Sequence, residues 1–187
     1  MKAGFIVFDQ VTILDFVGVY DAFTRLKTMD YLPDMSWEVC AVTEEVRDDR
    51  GVALRASHVN KPLGEFDVIV AAGGFGTRPL VSDQTFMDWI RTAAPCKLKV
   101  SVCTGALLYG AAGFLEGRRA TTHPNAFELL RPYCAEVMDE RIVDEGEVIT
   151  SRGVTAGIDL GLYLCEKFAG PEARQAIKKQ MDYPYGE

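Results

Sequence analysis

Cys103 stands in Val100-Ser101-Val102-Cys103-Thr104-Gly105, where an apolar run of strand length meets a cysteine, a glycine and then a small, apolar segment. Read locally, this is a buried strand, a sharp turn and a helix start. A thiol at a helix N-terminus sits among unpaired backbone N–H groups and at the positive end of the dipole, which favours the thiolate and lowers the cysteine pKa. Cys103 is therefore a candidate nucleophile, although most lone cysteines are simply small buried hydrophobes. Asp15 lies in the apolar stretch Ile13-Leu14-Asp15-Phe16, close to the first strand–helix junction. A carboxylate there either caps helix N–H groups or projects into a site at the strand's carboxyl end. Gly73-Gly74 follows the most strand-like run of the chain and suits a tight turn whose N–H groups bind an oxyanion. The sequence Gly73-Gly74-Phe75-Gly76-Thr77-Arg78 lacks the dinucleotide spacing and runs into Pro79, so no helix is expected to follow it.

The two histidines are read differently. His58 has no acidic or cysteine neighbour at ligand spacing and is expected at the surface. His123 precedes Pro124, which suits a first helical turn, so it stands at the entrance of a helix; nothing in the spacing brings it to Cys103. The five cysteines (Cys40, Cys96, Cys103, Cys134 and Cys165) are scattered, without a CxxC pair. They suggest neither a disulfide framework nor a zinc site, and a reducing, cytoplasmic home fits them best.

The elements that must position these groups alternate. Gly4–Phe8, Trp37–Val42, Phe66–Ala72 and Leu98–Val102 read as strands, with Val52–Ala56 a possible extended excursion. Helices are expected after residue 13, over 83–94 with Pro95 as its stop, from Gly105, after Pro124, over 158–169 and over 172–181, with Gly170-Pro171 as punctuation. Ile142-Val143 and Val148-Ile149-Thr150 flank Asp144-Glu145-Gly146 as a hairpin. The turn Ser151-Arg152-Gly153-Val154-Thr155 leads into the long helix. The tail from Tyr183 to Glu187 is too short for another module. The pattern implies an α/β fold, a three-layer sandwich with a mostly parallel central sheet and helices on both faces. One domain over residues 1–187 accommodates it. Ligands of such sheets sit beyond the strands' carboxyl ends, which gathers Asp15, the Gly73-Gly74 turn and Cys103 at one edge.

With 20 basic and 27 acidic side chains the net charge is −7, spread along the chain, which repels nucleic acid and anionic membrane. The short apolar start has neither the length nor the cleavage site of a signal peptide, and no stretch reaches membrane-spanning length.

In these residues the chain resembles the ThiJ/PfpI superfamily, which has the class I glutamine amidotransferase-like, flavodoxin-like fold. The carriers are Gly73-Gly74, Ser101-Val102-Cys103-Thr104-Gly105, Gly110-Ala111-Ala112-Gly113-Phe114-Leu115-Glu116-Gly117, Arg119-Ala120-Thr121-Thr122-His123 and Thr155-Ala156-Gly157-Ile158-Asp159, in the family's order. Within it the chain is similar to the isonitrile hydratase branch. Thr104 follows the cysteine where most members have histidine, and Asp15 stands where others place glutamate. Ser151-Arg152-Gly153 departs from that branch's glycine run, with Arg152 at the pocket mouth, and Phe75 replaces a small polar residue.

The resemblance implies a lyase in which Cys103, at a nucleophile elbow, attacks an isocyanide to form a covalent thioimidate, while Asp15 moves protons. Backbone N–H groups of Gly74 and Thr104 would stabilise developing charge, the Thr104 hydroxyl would hold Asp15 or water, and Gly73 and Val154 would line the site. It implies no metal or organic cofactor, a small-molecule substrate, and a homodimer in which the apolar first helix is a candidate interface. Two other readings stay open: a glyoxalase- or deglycase-like enzyme, which the missing histidine after Cys103 disfavours, and a ligand or redox sensor using Cys103. The sensor resembles the N-terminal half of AraC-type regulators, but without a helix-turn-helix segment and with an acidic balance direct DNA binding is not expected.

Overall fold

A computed structural model supplies the structure of the chain and describes residues 1–185; Gly186 and Glu187, at the end of the short tail, lie outside the described residues. In chain order the elements are β1 (Lys2–Ile6), α1 (Ile13–Thr28), β2 (Ser36–Ala41), β3 (Glu45–Arg47), β4 (Ala53–Arg55), β5 (His58–Val59) and β6 (Val68–Ala71). There follow α2 (Thr77–Leu80), α3 (Gln84–Arg91), β7 (Leu98–Val102), α4 (Gly105–Ala111), β8 (Arg119–Ala120), α5 (Phe127–Leu130), β9 (Glu136–Val137), β10 (Ile142–Asp144), β11 (Val148–Ser151) and α6 (Ala156–Gln180).

Seven strands form the central sheet in the order β10-β11-β7-β6-β1-β2-β5. All neighbours are parallel except β10, which returns antiparallel on β11 as the expected hairpin. The chain lays β1, β2 and β5 outward on one side, then starts again with β6 on the other side of β1. The switch point is therefore between β1 and β6, where loops diverge and leave a crevice. β6 and β7 are buried at every position, as central strands covered on both faces must be. Two small ladders, β3 with β4 and β8 with β9, lie outside the main sheet. The first contains the extended excursion read from the sequence.

Helices α1 and α6 pack on each other to form one covering layer. Gly161 permits this, because a Cβ there would lie 2.6 Å from Ala22 Cβ. Much of the apolar surface of α1, including Phe16, Val19, Phe23 and Leu26, is spent inside the core. On the other side α4 sits over β6 and β7 beside α3, whose N-terminus is capped by Asp83 accepting from the Phe86 N–H at 3.0 Å. The punctuation at Gly170-Pro171 is present as a break inside α6, with Gly170 at φ 86°.

Two expectations fail here. A helical turn, α2, does follow the glycine turn and contains Pro79. Proline at the third position of a helix lacks only an N–H that the first turn leaves unpaired anyway. His58 is not at the surface but 2 % exposed. It opens β5, sets its ring edge against Phe66 and points Nε2 at the Lys61 and Pro62 carbonyls, at 3.2 and 3.1 Å. Its acidic neighbours come from β2 and from the loop before β6, which no local spacing announces.

The start of α4 is pressed onto β6. A Cβ at Gly105 would lie 2.3 Å from the Ala71 carbonyl oxygen. Gly105→Ala gains up to ~1 kcal/mol of helix propensity, but the clash is with backbone and cannot be relieved by rotating a side chain. A net destabilisation of roughly 2 kcal/mol is expected, readable as a lower midpoint in urea at unchanged slope.

Candidate active site

β7 ends at Val102, and the next residue, Cys103, takes φ 56°. That left-handed conformation costs a non-glycine residue about 1 kcal/mol or more. Three hydrogen bonds hold it: the Cys103 N–H reaches the Ser151 and Arg152 carbonyls at 3.1 and 3.2 Å, and the Thr122 hydroxyl donates to the Cys103 carbonyl at 2.8 Å. The result is an elbow that lifts the side chain off the strand and delivers Thr104 and Gly105 into α4.

Asp15 comes from the first turn of α1 and is fully buried. Its Oδ2 accepts from the Gly73 N–H at 3.2 Å, across to the loop after β6, so it does not cap its own helix. Oδ1 has no hydrogen-bond partner among the described residues, and the Cys103 thiol beside the carboxyl pulls its pKa down. The crowding is tight: a Cβ at Gly73 would lie 2.6 Å from Thr104 N, 2.7 Å from Asp15 Oδ2 and 2.8 Å from Cys103 Cβ. Asp15, Gly73, Cys103 and Thr104 thus converge on one point.

Gly74, at φ 142°, turns its peptide toward Thr104. The Gly74 N–H donates to Thr104 Oγ1 at 3.0 Å, and the Thr104 hydroxyl donates back to the Gly74 carbonyl at 3.1 Å. This corrects two expectations. The Gly74 N–H is engaged by Thr104 rather than open to an oxyanion, and the Thr104 hydroxyl bonds the Gly74 peptide rather than Asp15. The Thr104 backbone N–H, next to Cys103 at the helix start, pulls the thiol's pKa down.

The electrostatics also differ from the helix-terminus argument. Burial, then the negative charge of Asp15, push the Cys103 thiol up to about 12, against a downward pull from Thr104. Burial likewise raises Asp15 to about 7, opposed by its hydrogen bonds with Cys103 and Gly73. Desolvation dominates because Cys103 is only 5 % exposed, and the Asp15 charge adds to it. The thiol therefore keeps its proton across the neutral range, while Asp15 gives up its own as pH rises through about 7.

A third contributor to the site was missed in the sequence. A Cβ at Gly153 would lie 2.5 Å from His123 Cδ2 and 2.9 Å from Cys103 Sγ, so ring and thiol flank the same small space. His123 Nδ1 accepts from the Asn125 N–H at 3.2 Å, which fixes it as the helix-entrance residue expected and leaves the Nε2 edge of the ring available. The signal was the glycine after Arg152, readable only once β11 is known to lie beside β7. Gly153 meets the thiol, and the next residue, Val154, accepts the Gly157 N–H through its carbonyl at 3.3 Å. Arg152 pairs with Asp139 and lies over the Phe127 ring at 5.8 Å, which anchors it away from the thiol. Phe75 is 62 % exposed beside the Gly74 turn, with the Arg78 guanidinium 4.9 Å from its ring centre.

Fold and site together define a three-layer α/β protein whose buried cysteine is presented on a strand–helix elbow beside a carboxylate at the switch point. The model of the DJ-1/PfpI family matches residues 1–167, and the chain belongs to that family. It is 36 % identical over 184 residues to the isonitrile hydratase of Pseudomonas putida, covering 98 % of this chain and 78 % of that one. Among solved structures, a ThiJ/PfpI family protein from Pseudomonas syringae superposes with a TM-score of 0.87 at 26 % identity, covering 100 % of this chain and 76 % of that one. Drosophila melanogaster DJ-1beta superposes with a TM-score of 0.83 at 22 % identity, covering 98 % of each chain, and shows the same fold. Among the described residues no helix is long and apolar enough to cross a membrane.

The raised Asp15 pKa is also a statement about stability. A carboxyl whose folded pKa lies above its unfolded value stabilises the fold fully below the unfolded value and loses that contribution as pH rises through about 7. Asp15→Asn, which cannot ionise, is therefore expected to raise the melting temperature relative to wild type at pH ~8, by roughly 2–4 kcal/mol equivalent, and to make little difference near pH ~4. Paired thermal melts at the two pH values check this.

Proposed function

We propose that the chain is a cysteine-dependent hydratase that converts an isocyanide to an N-substituted formamide. The observation that carries the reading is the buried Cys103 thiol packed beside the buried Asp15 carboxyl, with Thr104 rather than a histidine after the cysteine. An isocyanide carbon must accept both a nucleophile and a proton, and a thiol beside a carboxylate of pKa about 7 supplies both at one point.

The steps balance without a redox partner. Cys103 sulfur bonds to the terminal carbon while the thiol proton passes through Asp15 to that same carbon, giving a thioimidate, R–N=CH–S–Cys103. Water then adds to the C=N carbon, and Asp15 moves a proton from the water to the nitrogen. The C–S bond breaks with its electron pair going to sulfur, the hydroxyl proton returns through Asp15 to the thiol, and R–NH–CHO leaves. The Thr104 N–H steadies sulfur as charge passes through it. The Thr104 hydroxyl acts through Gly74 by fixing the wall against which Asp15 and Cys103 meet. The kinship with the Pseudomonas putida enzyme supports this reading across nearly the whole chain. A sensor role using Cys103 stays the alternative reading, which the kinship with DJ-1 proteins also fits.

Purified protein mixed with an aryl isocyanide and followed by formamide absorbance is expected to turn over, and Cys103→Ala to lose at least ~1,000-fold. Asp15→Asn should lose at least ~100-fold. The wild-type rate should rise with pH through about 7, as Asp15 ionises and can accept the thiol proton. Wild-type turnover no better than Cys103→Ala would reject the hydratase, and turnover of methylglyoxal alone would favour an aldehyde-processing enzyme.

A further inference from the structure

At the far edge of the sheet, with β6 and β1 between it and β7, lies a second polar cluster that the Cys103 chemistry does not use. Three ligand-type side chains meet there: Glu38 from β2, His58 from β5 and Glu65 from the loop before β6, with one ligand atom of each all within 4.8 Å of one another. We infer that His58 Nδ1, a Glu38 carboxylate oxygen and a Glu65 carboxylate oxygen form a binding site for a zinc-like divalent cation that ties the edge strand β5 to the body of the sheet.

The histidine carries the argument. It is 2 % exposed, and its Nε2 lies 3.2 and 3.1 Å from the Lys61 and Pro62 carbonyl oxygens. Carbonyls only accept, so Nε2 bears a proton, and Nδ1 is the ring nitrogen turned to the two carboxylates, where a cation would take the place of a proton. A ring whose far N–H is held by a backbone carbonyl is oriented as metal-bound histidines are. Nδ1 faces Glu38 Oε2 at 3.4 Å and Glu65 Oε1 at 3.3 Å. Those separations exceed the ~2.7–2.9 Å of a charge-assisted hydrogen bond. These two separations are close to the roughly 3.3 Å edge of a tetrahedron whose ligands stand about 2.0–2.1 Å from a central zinc, and the two carboxylates, within 4.8 Å, draw together to complete the third edge. Glu38 and Glu65 are partly exposed, so their oxygens can close on an ion without moving the backbone. One imidazole and two carboxylates suit zinc and its transition-metal neighbours rather than magnesium or calcium, and three protein ligands leave a fourth position to water.

Lys2 sharpens the test. Its ammonium bridges Glu38 Oε1 at 2.8 Å and Glu65 Oε1 at 3.1 Å, so it competes with a cation for the same carboxylates. Lys2→Met is therefore expected to bind metal more tightly than wild type, an outcome that a loosely acidic surface would not single out.

The probe is zinc chloride alone, titrated calorimetrically near neutral pH into the full chain after chelator treatment, with melting temperature read in parallel. The expected result is one zinc per chain, a higher melting temperature, at least ~10-fold weaker binding in Glu65→Gln and in His58→Gln, tighter binding in Lys2→Met, and unchanged affinity in Cys103→Ala. Glu65 is half exposed, so its variant keeps the fold even if His58→Gln does not. Zinc binding unaltered in Glu65→Gln, binding lost in Cys103→Ala, or no binding by wild type would each overturn the inference.

Discussion

The site rests on one constraint: a thiol and a carboxylate buried side by side in a space that tolerates a single negative charge. Burial raises both groups, and each makes ionisation of the other harder. A thiol that keeps its proton, beside a carboxyl that ionises only near pH 7, avoids the conflict. Much of the local architecture follows from holding those two groups together. The left-handed elbow at Cys103 aims the sulfur, Gly73 leaves no side chain between the carboxylate and the cysteine, and Gly153 clears the opposite side. The Gly74–Thr104 double hydrogen bond locks two loops that would otherwise drift apart.

This cluster is assembled from three loops because the sheet reverses its order of assembly between β1 and β6. Asp15 follows β1, Gly73 and Gly74 follow β6, and Cys103 follows β7, so adjacent parallel strands deliver adjacent groups. The α1–α6 layer backs Asp15 from behind, where a Cβ at Gly157 would lie 3.4 Å from the Asp15 carbonyl oxygen, and Asp15 is fully buried. A destabilising ionisable group is thereby built into the core, where the gain is chemistry rather than stability.

Much of this was legible in the residues because it is local. A strand of apolar residues ending in Cys103-Thr104-Gly105, paired glycines after a buried strand, and a carboxylate in an apolar helix start each point to an element end, and the sheet rule gathers element ends. What escaped the sequence depends on long-range neighbours. The thiol's raised pKa needs the Asp15 charge and the depth of burial, neither visible in the helix-start pattern. Gly153 and His123 meet Cys103 only because β11 lies beside β7, and His58 is buried because Glu38, Glu65 and Phe66 arrive from separate segments. The engagement of the Gly74 N–H by Thr104 likewise joins residues thirty positions apart.

The central claim is that Asp15 controls the ionisation of Cys103 through its charge. The most direct measurement is the pH titration of the Cys103 thiolate by its ultraviolet absorbance, taken as the difference from Cys103→Ala so that the other four cysteines cancel, in wild type and in Asp15→Asn. The account predicts a midpoint well above that of an ordinary thiol in wild type and a shift to lower pH when the Asp15 charge is removed. A midpoint that stays put, or rises, in Asp15→Asn would contradict it.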